Sequence, residues 1–449
     1  MYFTKVFDNI ADKNMYVLIY VILVVITFDT SIVKISNNFI GSIYYSQNFY
    51  NILFICTAAT FGLSQFIMLR VVKHRTRESA VYWKLKLHTL SKLLGYFNYA
   101  IIAILLSVII EMYIISSYNI GLVFATIWIS FGLAMVILGF LSYMFLRWFS
   151  RMRTPVILAY AAAMAMLSIN LVVTIVFMSI ELGDFSNMIY SGPGVGTVGA
   201  LNISSGLLNN LYNITFVMSF IITWSATAIL LKYYSRIIGK AKFWILVSIP
   251  LVYFLASFQP LIVNIFLPFR EANPIIFGLV YTLTFSASKP AGAILFGIAF
   301  WSLARNIADR TVRSYMLICS YGMIILFAAN QPLGLLLTPY PPFALATVAF
   351  MAVASFLVLI GIYSTAVSVS LDASLRQSIR KATVGQSHLL DKIGVAEYER
   401  EIEKRVMMTT RTAKDLIESE SGVTSSLSDE EIREYIANVT KEIKSKKSP

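Results

Sequence analysis

Charge is scarce in this chain: 13% of its 449 residues are Asp, Glu, Lys or Arg, whereas 58% are hydrophobic. A soluble fold of this length carries about 25% charged residues, so a soluble class is excluded and an integral membrane protein is expected. Cysteine is nearly missing. Cys56 and Cys319 both fall within apolar runs, which argues against a secreted-type disulfide framework. The three histidines, His74, His88 and His388, are far apart and offer no intramembrane cluster for copper, iron or zinc. A Walker loop, a nucleophile elbow and His-Glu-x-x-His are all missing, so neither catalysis nor a cofactor is expected.

Ten runs of mainly apolar residues, each long enough to cross a hydrocarbon core of roughly 30 Å, make up the transmembrane domain over residues 1–369. The expected spans are 15–34, 50–71, 93–116, 120–146, 155–180, 210–231, 243–267, 274–302, 314–337 and 343–369. All must be helices, because backbone facing lipid has to satisfy its own hydrogen bonds. The fold class is therefore an all-α, polytopic helical membrane protein. Lys and Arg lie on alternate connections: of 22 before residue 370, 19 fall on one side, Lys34 and Arg270 on the other, and Lys289 within a run. Retention of basic loops in the cytoplasm puts both termini inside a plasma-membrane protein. The net charge of +13 divides into 22 basic and 9 acidic groups before residue 370 and 14 of each after it. The excess is thus topogenic, pointing to anionic inner-leaflet lipid rather than nucleic acid. The first run lacks a cleavage pattern and reads as a retained helix. The inner connection Arg70 to Lys92 is amphipathic enough to lie on the membrane surface.

The connection from Glu181 to about Asn209 contains Ser191-Gly-Pro-Gly-Val-Gly-Thr-Val-Gly199. Without a flanking strand and helix for a nucleotide, or a pore helix for a filter, it reads as a flexible or re-entrant outer loop. Asn202-Ile-Ser and Asn213-Ile-Thr are glycosylation acceptors by pattern, Asn213 close to the bilayer. A partial repeat links Ala256-Ser-Phe-Gln259-Pro260-Leu261 with Ala328-Ala-Asn-Gln331-Pro332-Leu333, and Leu295-Phe-Gly297-Ile298 with Leu359-Ile-Gly361-Ile362. Equal orientation of the two units implies parallel helical hairpins.

Pro260, Pro290 and Pro332 lie within spans and free the carbonyls of Ala256, Ser286 and Ala328. Each follows a polar residue, Gln259, Lys289 or Gln331, and Asn330 stands beside the last. Such groups at a helix break either form a polar site, as in transporters, or repair the break by hydrogen bonding. For the glutamines, repair is the favoured reading. Lys289, near the middle of a long span, costs at least about 2.5 kcal/mol at that depth and should face a cavity or a partner. Its candidate anions are Asp29 and Glu111, near the outer ends of the first and third spans.

The last span runs on without Gly or Pro after Gly361 into Leu371, Leu375 and Ile379, so one unbroken helix is expected to enter a cytoplasmic amphipathic tail over 370–449. Further on, Val395, Tyr398, Ile402 and Val406 form an apolar seam. After a Ser-rich stretch, Ser428-Asp-Glu-Glu431 is a capping box with Leu427 and Ile432 as staple. The helix that it opens carries Ile432, Tyr435, Ile436, Val439 and Ile443. These seams call for a partner: one another, the inner loops, a second copy or another protein. His388 is read as a surface histidine.

Tyr340-Pro-Pro-Phe343, Gly361-Ile-Tyr-Ser-Thr-Ala366, Leu375-Arg-Gln-Ser-Ile-Arg380 and Leu389-Leu-Asp-Lys-Ile-Gly394 resemble a family of multi-pass membrane proteins of ammonia-oxidising archaea. The resemblance covers the last third of the chain and rests on no catalytic motif. It implies that the last spans and the tail act as one unit, and the family brings no assigned activity or residue role. The expected function is a sensor or signal relay coupling the last spans to the tail. The alternatives are a small-solute transporter or channel with its polar site at the proline breaks, and a scaffold or complex subunit.

Overall fold

The computed structural model describes residues 15–39, 47–77, 87–115, 117–183, 189–191, 206–256, 268, 272–273, 276–277, 280, 284–337, 341–381 and 387–421. Its main elements are α1 (Met15–Phe39), α2 (Gln47–Arg77), α3 (Leu87–Ile115), β1 (Ser117–Asn119), α4 (Ile120–Met152), α5 (Pro155–Gly183), β2 (Ile189–Ser191), α6 (Leu207–Leu231, continued by short turns to Ile238), α7 (Lys240–Ala256), α8 (Ser288–Arg305), α9 (Arg310–Ala329), α10 (Leu333–Leu337), α11 (Leu345–Ala349), α12 (Met351–Leu371), α13 (Ala373–Lys381) and α14 (Ser387–Ser421).

Among the described residues, eight helical stretches are long and apolar enough to cross a membrane: Asn51–Val72, Thr89–Ile115, Ile120–Met152, Pro155–Glu181, Leu207–Ile238, Thr284–Arg305, Arg310–Leu335 and Leu345–Leu371. The chain is an integral membrane protein built of helices. Two of the ten expected spans are not among the eight. The first is helical as α1, but its apolar stretch is only Val17–Asp29. The seventh is helical as α7, and its remainder, with Gln259 and Pro260, lies outside the described residues. So do most of the surface stretch after α2, Gly192–Gly199, Asn202 and the seam Ile432, Tyr435, Ile436 and Val439.

Short connections set the neighbours. At the α4–α5 turn Arg153 adopts the left-handed conformation (φ 40°) and donates its N–H to Phe149 O at 2.8 Å. Pro155 then opens α5 at a position where its missing N–H has no helical partner to lose. The strands β1 and β2 pair antiparallel, Tyr118 opposite Tyr190, tying part of the long connection between α5 and α6 to the turn before α4. The last spans are drawn together by glycines. A Cβ on Gly361 of α12 would stand 2.5 Å from Cys319 Cβ and 2.7 Å from Tyr315 O of α9. One on Gly322 of α9 would meet Val358 N of α12 at 2.8 Å. With little hydrophobic drive between helices in lipid, such close backbone approach supplies the association. Gly297 of α8 likewise lies against α9, a built Cβ falling 3.0 Å from Ser320 O. The two glycines of the sequence repeat therefore serve the same packing purpose on either side of α9.

The expected unbroken helix from Gly361 to Ile379 is not what forms. Asp372 takes an extended conformation (φ −104°, ψ 111°) between α12 and α13. Its Oδ1 accepts from the N–H of Ser374 at 2.8 Å, the Ser374 hydroxyl at 2.7 Å and the N–H of Leu375 at 3.1 Å. An aspartate in that position caps a new helix more readily than it continues an old one. Consequently Leu371 is exposed while Leu375 and Ile379 are buried, and the three do not share one seam.

Candidate functional site

Polar contacts gather at the two ends of an enclosed helix, α12. At the end away from the tail, α9 stops at Ala329 and the chain breaks through Asn330, Gln331 and Pro332. Gln331 donates its side-chain amide to Ala328 O at 2.9 Å, the carbonyl that Pro332 leaves without a helical donor. The glutamine thus mends the break locally, within its own turn. Asn330 reaches outward instead: its Nδ2 donates to Asn170 Oδ1 of α5 at 3.1 Å, and Asn170 Nδ2 donates to Thr215 Oγ1 of α6 at 3.2 Å.

Lys289 joins this chain. It is the second residue of α8, after a turn at Ala287 that follows helical residues 284–286. It therefore lies in the first turn of α8, six residues into the apolar stretch Thr284–Arg305. Pro290 occupies that turn too, where helical N–H groups have no partners to lose. The Lys289 ammonium is half-buried, 4.3 Å from the Phe216 ring centroid and 3.5 Å from Asn330 O. Cation and ring attract through the ring quadrupole. Tyr212, one turn before Phe216, stacks on it with centroids 6.1 Å apart. The Tyr212 hydroxyl, Asn330 Oδ1 and Ser286 Oγ are buried without hydrogen-bond partners.

Neither candidate anion is ion-paired with Lys289. Asp29 is 1% exposed and accepts from Ala344 N at 2.9 Å and from the Thr347 hydroxyl. Ala344 holds a positive φ of 70°, uncommon for a residue with a Cβ, and the carboxylate anchors that turn. Asp29 Oδ1 has no hydrogen-bond partner. Glu111 accepts from Asn119 N at 2.8 Å, supporting the turn from α3 into β1. Both carboxylates stabilise backbone turns.

At the other end the tail docks. The first part of α14 buries Leu389, Leu390, Ile393 and Ala396 against the bundle, and Gly394 lets it press on Val369 of α12 without room for a Cβ. Glu397, 5% exposed, accepts from Trp148 Nε1 of α4 at 3.1 Å and from Arg400 Nη1 at 3.0 Å. Arg400 also lies near the Tyr363 hydroxyl of α12. Burial of its guanidinium opposes the charge, but Glu397 and Tyr363 outweigh that and hold its pKa above the ordinary value. Arg151 of α4 pairs with Glu403. A cavity of about 10 Å³, bordered by Phe145, Phe300, Met316 and Leu390, lies beneath the docked segment and has room for about one water.

Sequence reasoning singled out Lys289, Asn330 and Gln331, and the structure brings the first two together. It missed Asn170 and Thr215, although a lone amide in an otherwise apolar span was the available signal. The docked face of α14 was missed as well, because the seam read from spacing, Tyr398, Ile402 and Val406, is the more exposed one. No family model, curated protein or solved structure matches the chain.

Proposed function

We propose that the protein is a membrane relay, with the α14 end of the bundle cytoplasmic by its basic connections. In this reading, rearrangement among the helices around α12 reaches the tail through a docked interface rather than along a continuous rod. The observation that carries it is Glu397, buried between Trp148 and Arg400 where α14 meets α4 and α12. A carboxylate so enclosed would be costly to strand, so a shift of α4 against α12 biases whether the tail stays docked. At the opposite end of the stretch Leu345–Leu371, Asp29 anchors the turn at Ala344 that opens α11, about 30 Å away at 1.5 Å per residue.

Coupling between these ends is the test. Asp29→Asn should accelerate amide hydrogen exchange in residues 389–397, and Gly394→Leu should release the same segment directly. If Gly394→Leu frees the tail while Asp29→Asn leaves its exchange unchanged, the two ends are independent and the relay reading fails. A second reading, a small-solute transporter, is favoured by the Lys289–Asn330–Asn170–Thr215 chain. It requires a flux into proteoliposomes that Lys289→Ala abolishes.

A further inference from the structure

The connection from α6 to α7 differs from the other basic connections at the tail end of the bundle. Several basic side chains there are engaged within the fold: Arg151 pairs with Glu403, Arg313 donates to Ile307 O at 2.7 and 3.0 Å, and Arg376 donates to Val369 O at 3.2 Å with its guanidinium over the Tyr398 ring. Lys232, Arg236, Lys240 and Lys242 are all exposed instead, and among the described residues none of them is in an ion pair. Residues 185 to 270 include no Asp or Glu, so the connection carries four positive charges and no negative one.

Apolar side chains are exposed beside these bases. Ile237 is 63% and Ile238 47% exposed in the turn before Gly239, and Trp244 and Ile245 are exposed at the start of α7. Phe243 and Val247 form the buried face of that helix, and Trp224 Nε1 of α6 donates to Val247 O at 2.8 Å, which holds the hairpin together without a ligand. Gly239 makes the reversal at φ 97°, a conformation that costs glycine little, and sets Arg236 and Lys240 on either side of it. Length gives the depth. The stretch Leu207–Ile238 has 32 residues, about 48 Å of helix against a hydrocarbon core of roughly 30 Å. The surplus brings its basic end to the headgroup layer.

We infer that the α6–α7 connection binds an anionic phospholipid, the phosphate held among Lys232, Arg236, Lys240 and Lys242 and the acyl chains lying against Ile237, Ile238 and Trp244. Charge complementarity names this occupant. The exposed isoleucines favour it over nucleic acid or an acidic protein, because a bilayer surface is where bases and bulky apolar groups are accommodated side by side. Arg236 can take a phosphate through two parallel N–H bonds, and the lysines act as point charges around it. This site stands apart from the relay and from the Lys289 chain, and neither reading has to hold for it.

Native mass spectrometry of the full-length protein in detergent, titrated with phosphatidylglycerol or phosphatidylcholine of the same acyl chains, tests the site. The parent should retain phosphatidylglycerol at least tenfold more tightly. Arg236→Gln with Lys240→Gln should remove most of that preference, each lost charge weakening retention roughly fivefold. Arg305→Gln with Arg310→Gln takes the same charge from the α8–α9 connection, where both side chains are exposed, and should leave the preference intact. Ile237→Ser with Ile238→Ser should weaken phosphatidylglycerol retention with all four charges kept. Because the replaced side chains are exposed, each variant should unfold at the parent's temperature when no lipid is added. Equal retention of the two lipids by the parent, equal losses in the two arginine-containing variants, or undiminished retention after Arg236→Gln with Lys240→Gln would each overturn the site.

Discussion

Two helices of nearly equal apolarity have opposite surroundings. The stretch Thr89–Ile115 of α3 has a mean hydropathy of 2.3, yet only 28% of its most apolar window is buried. Leu345–Leu371 reaches 2.5 and is buried throughout that window. Hydropathy places both in the bilayer and does not say which meets lipid and which meets protein. Side-chain size does. Twelve of the 27 residues in Leu345–Leu371 are Ala, Gly, Ser or Thr, against six of 27 in Thr89–Ile115. The latter also turns Tyr96, Tyr99 and Tyr113 outward. In lipid, tight packing of small residues stands in for the hydrophobic drive.

The sharpest way to break this comparison is to enlarge a glycine in each helix. Gly361→Leu should force α12 from α9, since a Cβ there already lies 2.7 Å from the Cys319 and Tyr315 backbone. The expected cost exceeds about 3 kcal/mol and would be seen as loss of monodisperse protein in detergent. Gly95→Leu, with no heavy atom within 4 Å of its Cβ position, should leave elution and thermal stability unchanged. Equal losses would end the distinction between enclosed and lipid-facing helices.

A smaller effect separates the two turn-supporting carboxylates. Asp29→Ala strands the buried Ala344 N–H and the Thr347 hydroxyl and should cost about 1–3 kcal/mol. Glu111→Ala, next to less enclosed groups, should cost about 1 kcal/mol or less. Thermal unfolding in one detergent ranks them.

The smallest effect is at the junction below α12. Hydrogen bonds from the Ser374 hydroxyl and the Leu375 and Ser374 amides hold the Asp372 carboxyl below the usual carboxylate range. A lowered folded pKa means that this cap contributes fully above the unfolded value near 3.9 and is lost as pH falls through the folded one. Asp372→Ala should therefore speed amide exchange at Ser374 and Leu375 at neutral pH, and the difference from the parent should vanish in acid.

Legibility followed the same division. Most spans could be read from run length, because the bilayer imposes one. The glycines of α8 and α12 surfaced as a repeat, though not as the reason for close packing. The break at Asp372 was hidden because the 4-residue spacing of Leu371, Leu375 and Ile379 fits one helix equally well, and only the competing aspartate cap decides. Lys289 stood out as the one cation within a run. Its companions Asn170 and Thr215 come from positions 119 and 74 residues earlier in the chain, a proximity that periodicity cannot express.

Leu345–Leu371 is the last of the eight apolar stretches to be synthesised, and it is also the one the others enclose. The walls are therefore made before the centre. Until residue 371 has entered the bilayer, Gly322 of α9 and Ser130 of α4, which later holds Val348 O at 2.8 Å, face an unfilled place. The nascent bundle has to remain open to the side, or be kept so by the insertion machinery, and assembly finishes by closing around its final member.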